Sequence, residues 1–302
     1  MSSPALKIVV SLHVQSSAYQ QAEARAAQLA ARRHGFRVDI IYADGEAITQ
    51  SDQLLKLMYS PEETRPDVII LEPIGTGMVR VAREAVKAGV GWVVLNREVD
   101  YMTELRASAH TPGFAVTTDH AETGRIQGRQ MNALLPNGGT VVYFQGPSGH
   151  PVVQARSSGM LETKDPMIKV RRLNGHWEEA TASKAMTSWL RLPTSRELGA
   201  YVVAAQNDFM ALGARKAVSQ VAEDAGHDGD ETRVRYIGCD GLEEHGRRWT
   251  SDGLLDATIV CPPLSDLAIE VLARELQQGI RAQSLTLAEP VSFPGLSQLR
   301  PA

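Results

Sequence analysis

Short apolar runs rich in Val, Ile and Leu alternate with amphipathic stretches along the whole chain, and this alternation constrains the fold more than any other feature. Continuous runs such as Val68-Ile-Ile-Leu71 and Val93-Val-Leu95 suit strands buried on both faces, as in a parallel sheet. Strands are expected at 6–12, 36–42, 67–71, 91–95, 114–117, 139–144, 168–173, 200–205, 233–238 and 256–260. Helical patterns fill the gaps at about 18–34, 47–58, 77–88, 120–134, 150–163, 178–190, 208–224 and 264–279. Gly35 follows a basic last turn and is a good helix stop. The rhythm predicts a doubly wound α/β architecture. It runs through about four units and breaks at 99–113, a segment without a clean period and long for a connection. A second set of about four units follows, so the economical reading is two similar α/β lobes with a crossover between them.

Two of the expected strands end abruptly in polar groups. Ala200–Ala205 gives way to Gln206, Asn207 and Asp208, and a helical pattern begins at once. Arg233–Gly238 gives way to Cys239, Asp240 and Gly241. Open α/β sheets bind ligands outside the carboxyl ends of their strands, so Asn207 and Asp240 are candidates to face one ligand.

The totals exclude several classes. At 302 residues the chain holds one large domain or two ordinary ones. A net charge of −4, with Lys and Arg scattered, argues against a nucleic-acid surface, which needs a basic stripe. The two cysteines cannot make a disulfide framework or a four-thiolate zinc site. No apolar run reaches the roughly 18 residues of a membrane span. The start, Met1-Ser-Ser-Pro-Ala-Leu-Lys7, lacks the basic and apolar stretches of a secretory signal.

Enzyme signatures fail one by one. The first strand leads into Leu12-His-Val-Gln-Ser-Ser, without the Gly-x-Gly-x-x-Gly of a dinucleotide site. There is no P-loop, no Gly-x-Ser-x-Gly elbow and no His-Glu-x-x-His, and the eight histidines show no metal-ligand spacing. Neither catalysis, a cofactor nor a metal is expected.

The order of Leu95-Asn-Arg97, Thr118-Asp119, Arg156 before Gly159, Gln206–Ala214, Ile237–Gly241 and Gly253–Ile259 resembles the type I periplasmic sugar-binding proteins. The ribose-binding-like group and the ligand-binding half of LacI-type repressors share this pattern, and the resemblance runs from Lys7 to about Phe293. It implies two doubly wound parallel-sheet lobes joined by a three-stranded hinge. Lobe one would be 5–117 plus 262–287, and lobe two 118–261 plus 288–298, with the ligand in a cleft between them. The implied function is capture of a monosaccharide or related polyol by hinge closure, for a membrane ABC-type permease. A periplasmic location follows from the resemblance, and a cytoplasmic one if the native chain has no signal. The alternative is an intracellular LacI-like effector-sensing domain without its DNA-binding part.

A sugar's hydroxyls both donate and accept, so a pocket needs matched Asn, Asp and Arg groups, with aromatic rings for the apolar faces. The candidates are Asn96 and Arg97 in lobe one and Arg156, Asn207 and Asp240 in lobe two, with Tyr19 and Trp177 as stacking rings. Each has a structural rival: Asp240 as a turn residue, Asn207 as a helix cap, the arginines as ion pairs, Trp177 as core. The first loop lacks the Asn-Pro-Phe-Phe-like pattern of the family, and His13 or Gln15 would contribute there. Cys239 and Cys261 fall where the family lines its cleft or hinge. They read either as a thiol-lined pocket or as small buried hydrophobes. A disulfide between them would need Cα atoms within about 7 Å.

Overall fold

In the computed structural model the described residues are 5–108, 110–196, 201–224 and 234–301. Ala200 and Arg233, the expected first residues of two strands, lie outside them, as do His227 and one residue of the 99–113 segment. The chain forms two compact units and passes from one to the other after Thr118, Pro262 and Ala288.

Unit one is built from β1 (Lys7–Leu12), α1 (Ala18–His34), β2 (Arg37–Tyr42), α2 (Ala47–Met58), β3 (Val68–Leu71), α3 (Val79–Lys87), β4 (Gly91–Leu95), α4 (Met102–Ser108), β5 (Gly113–Thr118), α11 (Leu264–Gln278) and β11 (Leu285–Ala288). Its six strands lie in the order β2-β1-β3-β4-β5-β11, every pair parallel. The central strands are buried throughout, which is why they read as unbroken apolar runs. Ser17 caps α1, and Gly35 ends it in the left-handed region at φ 71°, beside Arg32, Arg33 and His34. Pro263 offers α11 no side-chain cap, and the buried Glu23 of α1 serves instead: its carboxylate accepts the Leu264 and Ser265 N–H at 2.9 and 2.8 Å. Burial pushes that carboxyl above its ordinary pKa.

The break expected at 99–113 is not a crossover. It holds α4, which buries Met102 and Leu105 inside unit one. A helix of 7 residues makes two turns, too few to display a period in sequence.

Unit two contains α5 (His120–Leu134), β6 (Gly139–Gln145), α6 (Pro151–Thr163), β7 (Ile168–Asn174), α7 (Glu179–Leu190), α8 (Pro193–Arg196), β8 (Tyr201–Ala205), α9 (Asp208–Asp224) and β9 (Val234–Ile237). A π-helical turn, Glu243–Arg247, runs into α10 (Arg248–Ser251), followed by β10 (Thr258–Val260) and later β12 (Val291–Phe293). The parallel sheet has the order β7-β6-β8-β9, and β10 pairs antiparallel with β12. Helices α5 and α6 approach closely at two glycines. A Cβ on Gly124 would lie 2.0 Å from the Arg156 carbonyl, and one on Gly159 equally close to that of Ala121. That contact fixes the backbone that carries Arg156. The short strands β11 and β12 were not expected, since Glu289-Pro290 separates them and neither shows a sustained period. Among the described residues, no helix is long and apolar enough to cross a membrane.

Candidate functional site

In each sheet the chain winds outward in both directions from one pair of strands, and the crevice outside their carboxyl ends is where such folds take ligands. In unit two that pair is β6 and β8, and in unit one β1 and β3. His13, Gln15 and Tyr19 follow β1, Arg156 lies on the helix after β6 and Asn207 follows β8, whereas Asn96 and Arg97 follow β4, Trp177 follows β7 and Asp240 follows β9; each is described within its own unit.

In unit two, β6 ends at Gln145-Gly146 and β8 at Gln206-Asn207-Asp208. Gln206 is fully buried; its Nε2 lies 3.0 Å from Tyr143 Oη and 3.1 Å from both the Val153 carbonyl and Ser157 Oγ, three acceptors for its two hydrogens, and its Oε1 accepts Gly146 N–H at 3.2 Å. It ties both strand exits to α6. Arg156, 6% exposed, donates from Nη1 to the Gln206 carbonyl and from Nε to His120 Nδ1 at 3.4 Å. Its Nη1 lies 3.7 Å from Asp240 Oδ1, and its guanidinium stands 5.9 Å from the centroid of the Trp177 ring. A buried cation is costly unless paired, and Asp240 together with the ring face offsets that cost.

Trp177 follows β7 in a left-handed turn, with φ 51° at His176 and 67° at Trp177. The side chain of Asn207 steadies this strained turn by donating Nδ2 to the Trp177 carbonyl at 3.0 Å. Its Oδ1 accepts Met210 N–H at 2.9 Å, so the helix-cap role also holds. The ring lies flat against Gly146, where a Cβ would come within 2.2 Å of Trp177 Cε2 and Cζ2.

Asp240, φ 98°, is held by a parallel bridge to Val260: its N–H donates to the Ile259 carbonyl, and its carbonyl accepts Cys261 N–H, both at 3.0 Å. Behind it lies Asp208, fully buried, which accepts Gly241 N–H at 2.8 Å and the Thr258 hydroxyl at 2.6 Å. Burial, with the Asp240 charge adding to it, holds the Asp208 carboxyl well above the usual carboxylate range. Cys239 and Cys261 are free thiols, buried against Ile126 and Ile259, with their sulfurs 3.8 Å apart. Burial pushes the Cys239 thiol up.

A cavity of about 350 Å³ opens beside Gln145, Gly146 and Ser157, lined further by Gln154, Arg172 and Asn174. Arg156, Trp177, Asn207 and Asp240 do not line it, and the polar cluster rather than this hollow carries the chemistry.

In unit one the exits of β1, β3 and β4 meet at Glu72, a residue the sequence reading passed over. Its buried carboxylate accepts Asn96 Nδ2 at 2.7 Å and Gln20 Nε2 at 2.5 Å. Gln20 Oε1 in turn accepts His13 N–H at 2.8 Å. Asn96 sits in the left-handed region at φ 65°. Arg97 donates to the carbonyls of Pro73 and Gly75 at 2.6 and 2.7 Å, which pins the 73–75 loop; desolvation lowers its pKa, opposed by the Glu72 charge. Tyr19 is half-buried in the first turn of α1. Gln15 is exposed, and its backbone carbonyl accepts Gln21 Nε2 at 2.9 Å. His13 Nε2 is buried without a hydrogen-bond partner among the described residues.

Arg156, Trp177, Asn207 and Asp240 are thus one connected cluster, and Asn96 and Arg97 stand beside Glu72. Sequence reasoning missed Glu72 and Gln20, and named Gln206 and Asp208 only as polar residues at a strand end. The available signal was an ionisable or amide residue directly after an apolar run, as in Leu71-Glu72 and Ala205-Gln206.

The family model described as a periplasmic binding protein domain matches residues 8–279. No curated protein matches the chain by sequence. Among solved structures, an ABC transporter solute binding protein from Mycobacterium smegmatis with bound glycerol is 26% identical, with a TM-score of 0.76 over 98% of this chain and 96% of that one. An ABC transporter periplasmic solute binding protein from Actinobacillus succinogenes 130z with bound D-allose is 20% identical, with a TM-score of 0.81 over 97% and 98%. A galactofuranose binding protein is 22% identical, with a TM-score of 0.78 over 95% and 94%. These likenesses are of fold.

Proposed function

We propose, from the premise that this chain belongs to the periplasmic binding protein domain family, that it is a solute-binding protein for a small polar ligand, a monosaccharide or related polyol. One observation carries the reading: at the strand exits of unit two the buried Arg156 stands 5.9 Å from the centroid of the Trp177 ring and pairs with the half-buried Asp240 at 3.7 Å. A flat C–H face would stack on the ring, and vicinal hydroxyls would donate to Asp240 and accept from Arg156. Asn96 and Arg97 would supply the unit-one half of the site, and the two units would close over the solute by hinge motion. Solutes bound by the structural neighbours, glycerol and D-allose among them, belong to this chemical class. The closed form would deliver its solute to an ABC-type permease from the periplasmic side. The reaction is non-covalent, and closure can be driven only by the difference in affinity between the open and closed states.

A thermal-shift screen against sugars, polyols and small nucleosides tests the proposal. At least one sugar or polyol is expected to raise the melting temperature, and Asp240→Ala to abolish that rise while remaining folded by circular dichroism. A rise that persists undiminished in folded Asp240→Ala would place the solute elsewhere.

A further inference from the structure

We infer that Cys239, Cys261 and Asp240 form a binding site for a soft divalent metal ion such as Zn²⁺. Residues 239 and 261 are far apart in sequence, so no ligand spacing announces them. The fold brings them together through the bridge between Asp240 and Val260. The two sulfurs and a carboxylate oxygen of Asp240 all lie within 4.8 Å of one another. The observed sulfur separation is 3.8 Å. Two thiolates held about 2.3 Å from one tetrahedral metal also stand about 3.8 Å apart. Rotation of the Asp240 carboxylate completes three protein ligands and leaves a fourth position for water.

The charges close as well. Two thiolates and the Asp240 carboxylate are balanced by a divalent ion together with Arg156, whose Nη1 is 3.7 Å from Asp240 Oδ1. Thiolate ligands favour zinc over the hard, oxygen-seeking cations. The apolar Ile126 and Ile259 packed beside the two thiols lower the local dielectric and strengthen the electrostatic hold. A disulfide suits this frame less well. Asp240 is hydrogen-bonded opposite Val260, which sets Cys239 and Cys261 on a diagonal rather than face to face.

Cobalt(II) titration of the full, reduced chain tests the site. One equivalent of Co²⁺ is expected to bind with a thiolate-to-cobalt charge-transfer band and the intense visible bands of a tetrahedral centre, both erased by Zn²⁺. Cys239→Ala and Cys261→Ala should each abolish the charge-transfer band, and Asp240→Asn should weaken uptake by at least about tenfold. Absence of that band in the intact reduced chain would overturn the site, as would a band unchanged in the double cysteine variant. Should the variants fail to fold, thiol alkylation of the intact chain decides, run under conditions in which both buried thiols of the metal-free chain are labelled: Zn²⁺ is expected to protect both cysteines, and equal labelling with and without Zn²⁺ overturns the site. The titration needs no solute, so its outcome stands apart from that of the sugar screen, which is run on metal-free protein.

Discussion

Asn207 holds Trp177 in place: its Nδ2 donates to the Trp177 carbonyl at 3.0 Å while its Oδ1 caps α9 through Met210 N–H at 2.9 Å. One amide therefore both starts a helix and steadies the left-handed turn at 176–177. Asn207→Asp keeps the capping acceptor and loses the donor, whereas Asn207→Ala loses both. The alanine variant should cost about 1–2 kcal/mol in urea denaturation. Hydrogen exchange separates the two roles. Both variants should speed exchange around the 176–177 turn, and only alanine should speed it in the first turn of α9. Parent-like exchange at the turn in Asn207→Asp would show that the strut does not matter.

The contact between Trp177 and Gly146 leaves no room for a methyl group, since a Cβ there would sit 2.2 Å from the ring. Gly146→Ala should push the indole off its seat and destabilise the chain by about 1–3 kcal/mol, in the range of overpacking. In a background where the other three tryptophans are replaced by Phe, Trp177 emission should move with the ring. A parent-like spectrum and midpoint would mean that the turn absorbs the methyl.

Much of this architecture was legible because burial leaves a period. The helices Ala18–His34, Ala47–Met58 and His120–Leu134 begin and end where the apolar spacing put them. Asn207 and Asp240 were legible as polar breaks after apolar runs. Partnerships left no such mark. Glu72 meets Asn96 and Gln20 across 24 and 52 residues, distances over which no periodic pattern operates. Asp208 read only as one of the polar groups that follow an apolar run, and only the fold shows it buried against Gly241 and Thr258. The cysteines read either as pocket-lining thiols or as small buried hydrophobes, with no spacing to show that they meet, and their approach depends on the bridge between Asp240 and Val260.

Asp208 should give the chain an identifiable pH dependence. Its folded pKa is raised by burial and then by Asp240, so between the ordinary carboxyl value and that raised value the folded state binds the proton more tightly than the unfolded chain. The resulting stabilisation is complete below the ordinary value and is lost as pH rises through the raised one. Asp208→Asn removes this titration and preserves the contacts, with Oδ1 accepting Gly241 N–H and Nδ2 donating to the Thr258 oxygen. Urea denaturation at stepped pH should therefore show the variant gaining on the parent from acid toward neutral pH. A constant difference across that range would exclude Asp208 as the titrating group.

Glu72 should matter for stability before any solute is added. Two buried or half-buried amides, Gln20 Nε2 and Asn96 Nδ2, converge on its carboxylate, and Gln20 is itself committed to His13 N–H. Glu72→Ala strips the acceptor from both, and each stranded donor costs about 1–3 kcal/mol unless water reaches it. Glu72→Gln supplies one oxygen for two donors. It should fall between parent and alanine, because Gln20 can turn its oxygen toward the new amide only by giving up His13 N–H. The ordering parent, glutamine, alanine in the urea midpoint is the expected result, with binding of any solute found in the thermal screen weakened in the same order. If Glu72→Ala unfolds within about 0.5 kcal/mol of the parent, in the range of an ordinary surface change, the carboxylate does not organise the unit-one strand exits.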